Sequence, residues 1–299
     1  WDNRHFWRVS NAEHLAMSED VGIVNLSHFA MFDVEGPDHV ACMEWLCAAK
    51  IGGDNMIGKG IYTHFLDDEG MVRADLTVIS LADRCRIIDG ADAGPRDFNY
   101  VKRVAEDKGF DVTVTDVTDK YVTIGCWGPN ARATLQKVVE DPTRLSPENF
   151  PFAAIRTIRI AGKDVMAFRI SYVGEQGWEL HMRYEDGLAV WDALRATGVM
   201  AFGVETYANS RRMEKSLRLQ NADLLTEYNL IESDLARPKV KEADFCGKAK
   251  HLEYKAREHQ PAMLCTLVMT DNRDSKGVAR YPVGNMPVMD PATGETLVD

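Results

Sequence analysis

"KYVTIGCWGPNARATLQKVVED", residues 120–141, repeats the grammar of "MFDVEGPDHVACMEWLCAA", residues 31–49. Each opens with a strand-forming run, turns at Gly-Pro followed by an Asx residue (Gly36-Pro37-Asp38 and Gly128-Pro129-Asn130), and continues with apolar residues at helical spacing. An alanine falls at the same offset in both, Ala41 and Ala133. A strand, a Gly-Pro-Asx corner and a helix occurring twice predict two interleaved α+β units built on one plan.

The segments around these corners complete the two units. Between them, "GIYTHFLDDEGMVRADLTVISLADRCRIIDG" (60–90) predicts three alternating strands with turns at "DDEG" and "LADR". "PRDFNYVKRVAEDKG" (95–109) predicts a helix opened by Pro95 and closed by Gly109. After the second corner come the strands "AIRTIRIAG" (154–162), "KDVMAFRISYVG" (163–174) and "QGWELHM" (176–182). Two helices follow, "YEDGLAVWDALRATG" (184–198) and "GVETYANSRRMEKSLRL" (203–219). From Pro261 the pattern turns to strands, "AMLCTLVMT" (262–270) and "PVGNMPVMD" (282–290), which start a small β unit that stops at Asp299. The opening "WDNRHFWRVS" lacks a starting Met and a signal pattern, so the chain reads as trimmed from something longer.

A chain of 299 residues with 45% hydrophobic and 27% charged residues is a globular protein of more than one module. Its formal charge of −11 argues against nucleic acid or an anionic membrane as its main partner. No apolar run approaches the ~18–20 residues a membrane span requires. Six cysteines without a C-x-x-C pair fit reduced, buried thiols in a cytosol or mitochondrial matrix. The eight histidines show no metal-ligand spacing, so no metal is expected. "GDNMIGKG" (53–60) begins like a phosphate loop, but Gly60 replaces the final hydroxyl residue and a strand pattern follows, so nucleotide binding is not expected there.

Two features carry more chemistry than a scaffold needs. Asp is disfavoured within strands, yet Asp75 sits inside "GMVRADLTVIS" (70–80). Alternation places Val72, Ala74, Leu76 and Val78 on one face and Arg73, Asp75 and Thr77 on the other. That second face reads equally as exposed decoration or as the wall of a site. The hairpin "ISYVGEQGWEL" (170–180) sets Tyr172 on one arm and Glu179 beside Trp178 on the other. It is either a solvent-edge hairpin or a grip for a flat heterocycle offering two parallel N–H donors, such as a pterin or guanine. Glu175 lies in the turn and reads as a turn residue.

The segments "VGIVNLSHFAMFDVEGPD", "GMVRADLTVISL", "IGCWGPNAR", "ISYVGEQGWEL", "SRRMEKSLR" and "ADFCGKAKHL" occur in an order and spacing that resemble the aminomethyltransferase family. That family comprises the T-protein of glycine cleavage and the folate-binding C-terminal regions of dimethylglycine and sarcosine dehydrogenases and oxidases. The resemblance implies a three-lobed α+β cloverleaf: two interwoven, ferredoxin-like lobes over residues 1–260, and an incomplete C-terminal β-barrel-like lobe over 261–299. It implies tetrahydrofolate as cofactor and one-carbon transfer from an N-methyl amine-derived iminium or from formaldehyde, giving 5,10-methylenetetrahydrofolate. Asp75 resembles the catalytic aspartate and is expected to stay ionised beside the iminium charge, whereas a buried, raised pKa would suit proton shuttling instead. Tyr172 and Glu179 resemble the folate-pocket tyrosine and glutamate, and Tyr62 and Arg212 match further cofactor-site positions. The implied partners are a methylamine-type small-molecule donor and a flavin oxidoreductase or lipoyl carrier domain.

The sequence also departs from the family's pattern. Ala208 stands where the glycine-cleavage branch carries an arginine, and Ser216 replaces a usual glycine. Val173, Trp178 and "MEK" side with the demethylating branch. Glycine cleavage, folate-dependent S- or O-demethylation, and a non-enzymatic folate-binding regulator stand as alternatives.

Overall fold

The computed structural model describes residues 6–235, 240–282 and 286–298. Chain contacts divide into a large unit, Val9–Leu264, and a small one formed by the residues through Arg8 with those from Cys265 onward. After α1 (Trp7–Glu19), the large unit runs β1 (Gly22–Asn25), β2 (Ala30–Glu35), α2 (His39–Leu46), β3 (Lys59–Leu66), β4 (Val72–Ser80), β5 (Arg84–Asp89), α3 (Gly94–Lys108) and β6 (Thr113–Asp116). It continues with β7 (Tyr121–Trp127), α4 (Ala131–Gln136), β8 (Ile155–Ile160), β9 (Lys163–Phe168), β10 (Gly177–Arg183), α5 (Gly187–Arg195) and β11 (Met200–Ala201). A π-helix (Glu205–Arg211) passes directly into α6 (Arg212–Glu214), and α7 (Lys248–Lys255) follows a long loop.

The expected duplication is present. The corner residues Asp38 (φ −99°, ψ 13°) and Asn130 (φ −95°, ψ 8°) share one conformation. Gly36 (φ +129°) and Gly128 (φ +140°) precede them in a region closed to other residues. A Cβ would lie 2.5 Å from the Asp111 carbonyl oxygen at Gly36 and 2.2 Å from the Asp20 carbonyl oxygen at Gly128. Each corner is therefore pinned to a neighbouring backbone.

The units interlock through β1. Sheet order is β3-β4-β5-β2-β6 in one lobe and β11-β1-β7-β10-β9-β8 in the other. The first strand thus belongs to the second sheet, pairing antiparallel with β7 and parallel with β11. Cys42, Met43 and Leu46 of α2 and Val101 and Ala105 of α3 cover the outer face of the five-stranded sheet. Ala131, Leu135, Val190 and Leu194 do the same for the other. The inner faces meet across Met31, Ile79 and Ile88 from one sheet and Ile155 and Phe168 from the other. Gly60 lies in this layer, and a Cβ there would meet the Phe168 ring at 2.3 Å. That close approach explains the glycine where a phosphate loop would need a hydroxyl.

Several sequence expectations change. β9 stops at Phe168, so Tyr172 lies in a bend and not on a strand arm. The Trp127 indole N–H takes the Ile170 carbonyl at 2.7 Å, diverting the chain from the ladder. The expected helix over 203–219 shrinks to the π-helix and one turn of α6. Ser216, where the family pattern has glycine, adopts the left-handed region (φ +57°) and ends it. Residues 262–270 are not a strand; the sheet of the small unit is the pair β12 (Val288–Met289) and β13 (Thr296–Val298), and residues 283–285 of the second expected strand lie outside the described residues. Five cysteines are buried as expected, with burial pushing the Cys42, Cys85 and Cys126 thiols up to about 12, whereas Cys265 is exposed. Among the described residues no helix is long and apolar enough to cross a membrane.

Candidate active site

Asp75 and Glu179 stand on the facing inner surfaces of the two sheets. On β4, Ala74, Leu76 and Val78 are buried against the helices, and Val72 packs with Leu66, Leu230 and Phe245, so Asp75 is turned to the inter-sheet side. On β10, Trp178, Leu180 and Met182 fill the helix-side core, and Glu179 and His181 take the opposite face. Only 10% of each carboxylate side chain is exposed. The reading of Asp75 as surface decoration is excluded.

Asp75 is built into a polar cluster of strand residues. Directly across the ladder from it is His64, whose Nε2 lies 3.5 Å from Asp75 Oδ1. Tyr62, two residues before His64 on the same face, hydrogen-bonds the Asp75 carboxyl and lies 3.3 Å from His64 Nε2 through its hydroxyl. The other edge of β4 has run past the end of β5 here, and a side chain replaces the missing strand. The Asp75 N–H donates to Gln220 Oε1 and Gln220 Nε2 donates to the Arg73 carbonyl, both at 3.3 Å.

Burial pushes the Asp75 carboxyl from 3.8 up to about 7, against the lowering pull of the Tyr62 hydrogen bond. The expectation of a permanently ionised Asp75 is therefore corrected: near neutrality it is divided between acid and carboxylate. Below its unfolded value the group is neutral in both states and costs nothing. As pH rises towards 7 only the unfolded chain ionises, so folding stability is lost across that window and stays lost above it. Asp75→Asn is expected to be more stable than the parent at pH 8, by on the order of a few kcal/mol and hence with a higher melting temperature, and to match it at pH 4. Thermal denaturation at the two pH values checks this.

The third wall is aromatic. Tyr172 packs on Tyr207 (ring centroids 5.2 Å), which stacks on Trp127 (5.5 Å, 22°). The Tyr172 hydroxyl donates to the Arg218 carbonyl at 2.6 Å. Burial, then the charges of Glu179, Tyr172 and Asp75, hold the Tyr207 hydroxyl well above its ordinary pKa. Tyr207 therefore stands within electrostatic reach of both carboxylates. It comes from the π-helix, a widened turn of a kind frequent at functional sites.

Arg212 is at the same place with its guanidinium already engaged. Nε donates to the Ala208 carbonyl at 2.6 Å, and Nη1 donates to both the Leu217 carbonyl and Asp223. It thereby sets the 217–223 loop that supplies Gln220 and the Arg218 carbonyl. Glu175 is more than a turn residue: its Oε1 pairs with buried Arg211 at 2.6 Å, fastening the bend to the π-helix. Sequence reasoning also passed over His64, His181, Tyr207 and Gln220. Of these, His64 and His181 had a local signal, each sharing a strand face with a candidate residue two positions earlier, Tyr62 and Glu179.

Glu179 is the residue with spare capacity. Among the described residues its one ion-pair contact is His181 Nε2, 3.3 Å from Oε2. A nearly buried carboxylate so sparsely served has acceptor positions left for donors from a ligand. The layer between the sheets thus offers a carboxylate acceptor on one wall, a titrating carboxyl on the other and an aromatic side wall.

Comparison with known proteins accords with this arrangement. The chain is 31% identical over 284 residues to "Dimethylglycine dehydrogenase, mitochondrial" of Rattus norvegicus, covering 91% of this chain and 32% of that protein. It therefore spans about a third of the length of that relative. It is 29% identical over 277 residues to "Aminomethyltransferase" of Thermotoga petrophila, covering 91% of this chain and 74% of that protein. The fold is that of glycine cleavage system aminomethyltransferase T from Bartonella henselae, with TM-score 0.71 at 24% identity over 82% of this chain and 66% of that one. The sequence profile of the GCVT N-terminal domain matches residues 2–239, and the chain belongs to that family of folate-dependent transferases.

Proposed function

We propose that this chain transfers a one-carbon unit, at the oxidation level of formaldehyde, from a methylamine-derived iminium or from formaldehyde to tetrahydrofolate. Proteins of the family bind tetrahydrofolate. The observation that carries the reading for this chain is the pair of buried carboxylates on facing walls, one with open acceptor positions and the other titrating near 7. Glu179 fits the two parallel N–H groups of a pterin edge, which a single carboxylate can accept together. Tyr172 and Tyr207 supply flat apolar surface beside it, and Tyr62 fixes the direction in which the Asp75 carboxyl points. When bound, tetrahydrofolate supplies the nitrogen nucleophiles that take up the carbon.

Asp75 then acts at the reacting nitrogens. As a carboxylate it balances the positive charge of the donor and accepts the proton that the attacking nitrogen sheds. As a carboxylic acid it returns that proton to the departing amine. A group titrating near 7 performs both halves, which a permanently ionised aspartate would not. His64 and Tyr62 keep it oriented and exclude water from its back.

Glycine cleavage is the second reading, favoured by the larger share (74%) of the aminomethyltransferase relative that this chain covers. Val173 and Trp178 are fully buried in cores on either side of the bend, so neither selects the donor by direct contact. The donor reaches the site either free or delivered by a flavin oxidoreductase or lipoyl carrier domain, in a cytoplasmic or mitochondrial-matrix setting. Calorimetry of the full-length protein with tetrahydrofolate, followed by product assays with dimethylglycine, sarcosine and formaldehyde, tests the proposal. Saturable binding and 5,10-methylenetetrahydrofolate formation are expected; absence of folate binding overturns it.

A further inference from the structure

Thr123, His181 and Glu179 form a row on neighbouring strands. Thr123 of β7 lies directly opposite His181 of β10, and Glu179 shares the His181 face two residues earlier. His181 Nδ1 is 2.9 Å from Thr123 Oγ1, and its Nε2 is 3.3 Å from Glu179 Oε2. Thr123 is wholly buried and His181 is 1% exposed. Nε2 makes no aligned hydrogen bond to the carboxylate in this state.

A groove of about 790 Å³ ends on the far side of this row, lined by Tyr121, His181, Arg183 and Asp186 among others. Glu179 is not among the groove-lining residues. His181 is thus the partition between a solvent-accessible groove and the back of the carboxylate.

The chemistry of the row fixes where its protons lie. If Nδ1 carried the ring proton and gave it to Thr123, an Nε2 lone pair would face a carboxylate oxygen at 3.3 Å in a dry site. Two buried acceptors so placed repel. The threonine hydroxyl can instead donate to Nδ1, which puts the ring proton on Nε2, facing Oε2.

We propose that Thr123 and His181 are positioning residues for Glu179. The threonine hydroxyl selects the Nε2–H tautomer, and His181 presents that proton to Oε2 and seals the carboxylate from the groove. Glu179 is thereby held in one orientation, with its remaining lone pairs directed at the ligand. This rests on the folate reading for the identity of the ligand but not for the placement of the proton.

Two measurements on the full-length protein test it. Ring-nitrogen NMR of His181 is expected to show Nε2 protonated and Nδ1 unprotonated; a neutral ring protonated at Nδ1 overturns the proposal whether or not folate binds. In calorimetry with tetrahydrofolate, His181→Leu, which keeps the volume, is expected to weaken binding by about tenfold. His181→Gln, which keeps a donor at the Nε2 position, should stay within about threefold, and Thr123→Val should fall between them. In a Glu179→Gln background, His181→Leu should add less than about twofold, since the group it positions is gone. Binding by His181→Leu equal to that of the parent overturns the positioning role and leaves the folate reading intact. A parent that binds no folate overturns the folate reading, and the tautomer then decides the row alone.

Discussion

Asp75→Asn is expected to lower turnover by about 10²–10⁴-fold while folate binding stays within about threefold of the parent. The amide keeps the size of the side chain and can still meet Tyr62 and His64, so the walls of the site persist. What disappears is the capacity to gain and lose a proton, which the carboxyl possesses because burial lifts it to about 7. The parent should lose rate below pH 7, where the carboxylate form that accepts the proton of the attacking nitrogen is depleted. The variant's residual rate should be flat across the same range. Steady-state rates from pH 5.5 to 9, with folate affinity measured in parallel, give the result. A variant with unchanged kcat would remove Asp75 from the chemistry.

Glu179→Gln is expected to weaken folate binding by about 100-fold with little change in fold. The carboxylate can take two N–H donors at once, whereas the amide offers one acceptor and turns an N–H₂ group towards a ligand edge that also donates. Both a charge-assisted bond and its complement are lost, and one ligand donor is left facing another. The strand tolerates the change because Trp178 and Leu180, which anchor β10, point the other way. Titration calorimetry with tetrahydrofolate checks the affinity, and thermal unfolding checks the fold. Parental affinity in this variant would mean that the pterin is held elsewhere.

The two carboxylates were legible because each breaks a local rule. Asp75 interrupts a strand pattern whose alternation states which way it points, and the structure places it on that face. The duplicated corner was legible too, since Gly-Pro-Asx is a short-range signal. The rest of the site depended on pairings across long stretches of chain. Glu175 looked like an ordinary turn residue because its partner, Arg211, lies on the π-helix. Gln220 reaches the site because Arg212 holds the 217–223 loop back against β4, and Tyr207 because the π-helix stacks it on Trp127, and no periodicity encodes either. The strand arm expected at Tyr172 failed for a similar reason: the Trp127 indole competes for the Ile170 carbonyl and wins. The pKa of Asp75 was misjudged because a sequence gives the charge of a group and not the depth of its burial.

The placement of β1 has a consequence for synthesis on the ribosome. β2 to β6 are contiguous, so the wall bearing Asp75 can close as soon as residue 116 has emerged. β1 is made earlier but pairs with β7 and then with β11, at Met200 and Ala201. At ordinary elongation speeds it waits roughly ten to forty seconds for that last neighbour. During that interval "GIVN" is a nascent strand with an open edge, the kind of segment that chaperones must shield. The wall bearing Glu179 is consequently the later of the two to pair its strands, and a chain interrupted before residue 200 would carry Asp75 on a paired five-stranded sheet that still lacks Gln220, beside an unfinished second sheet.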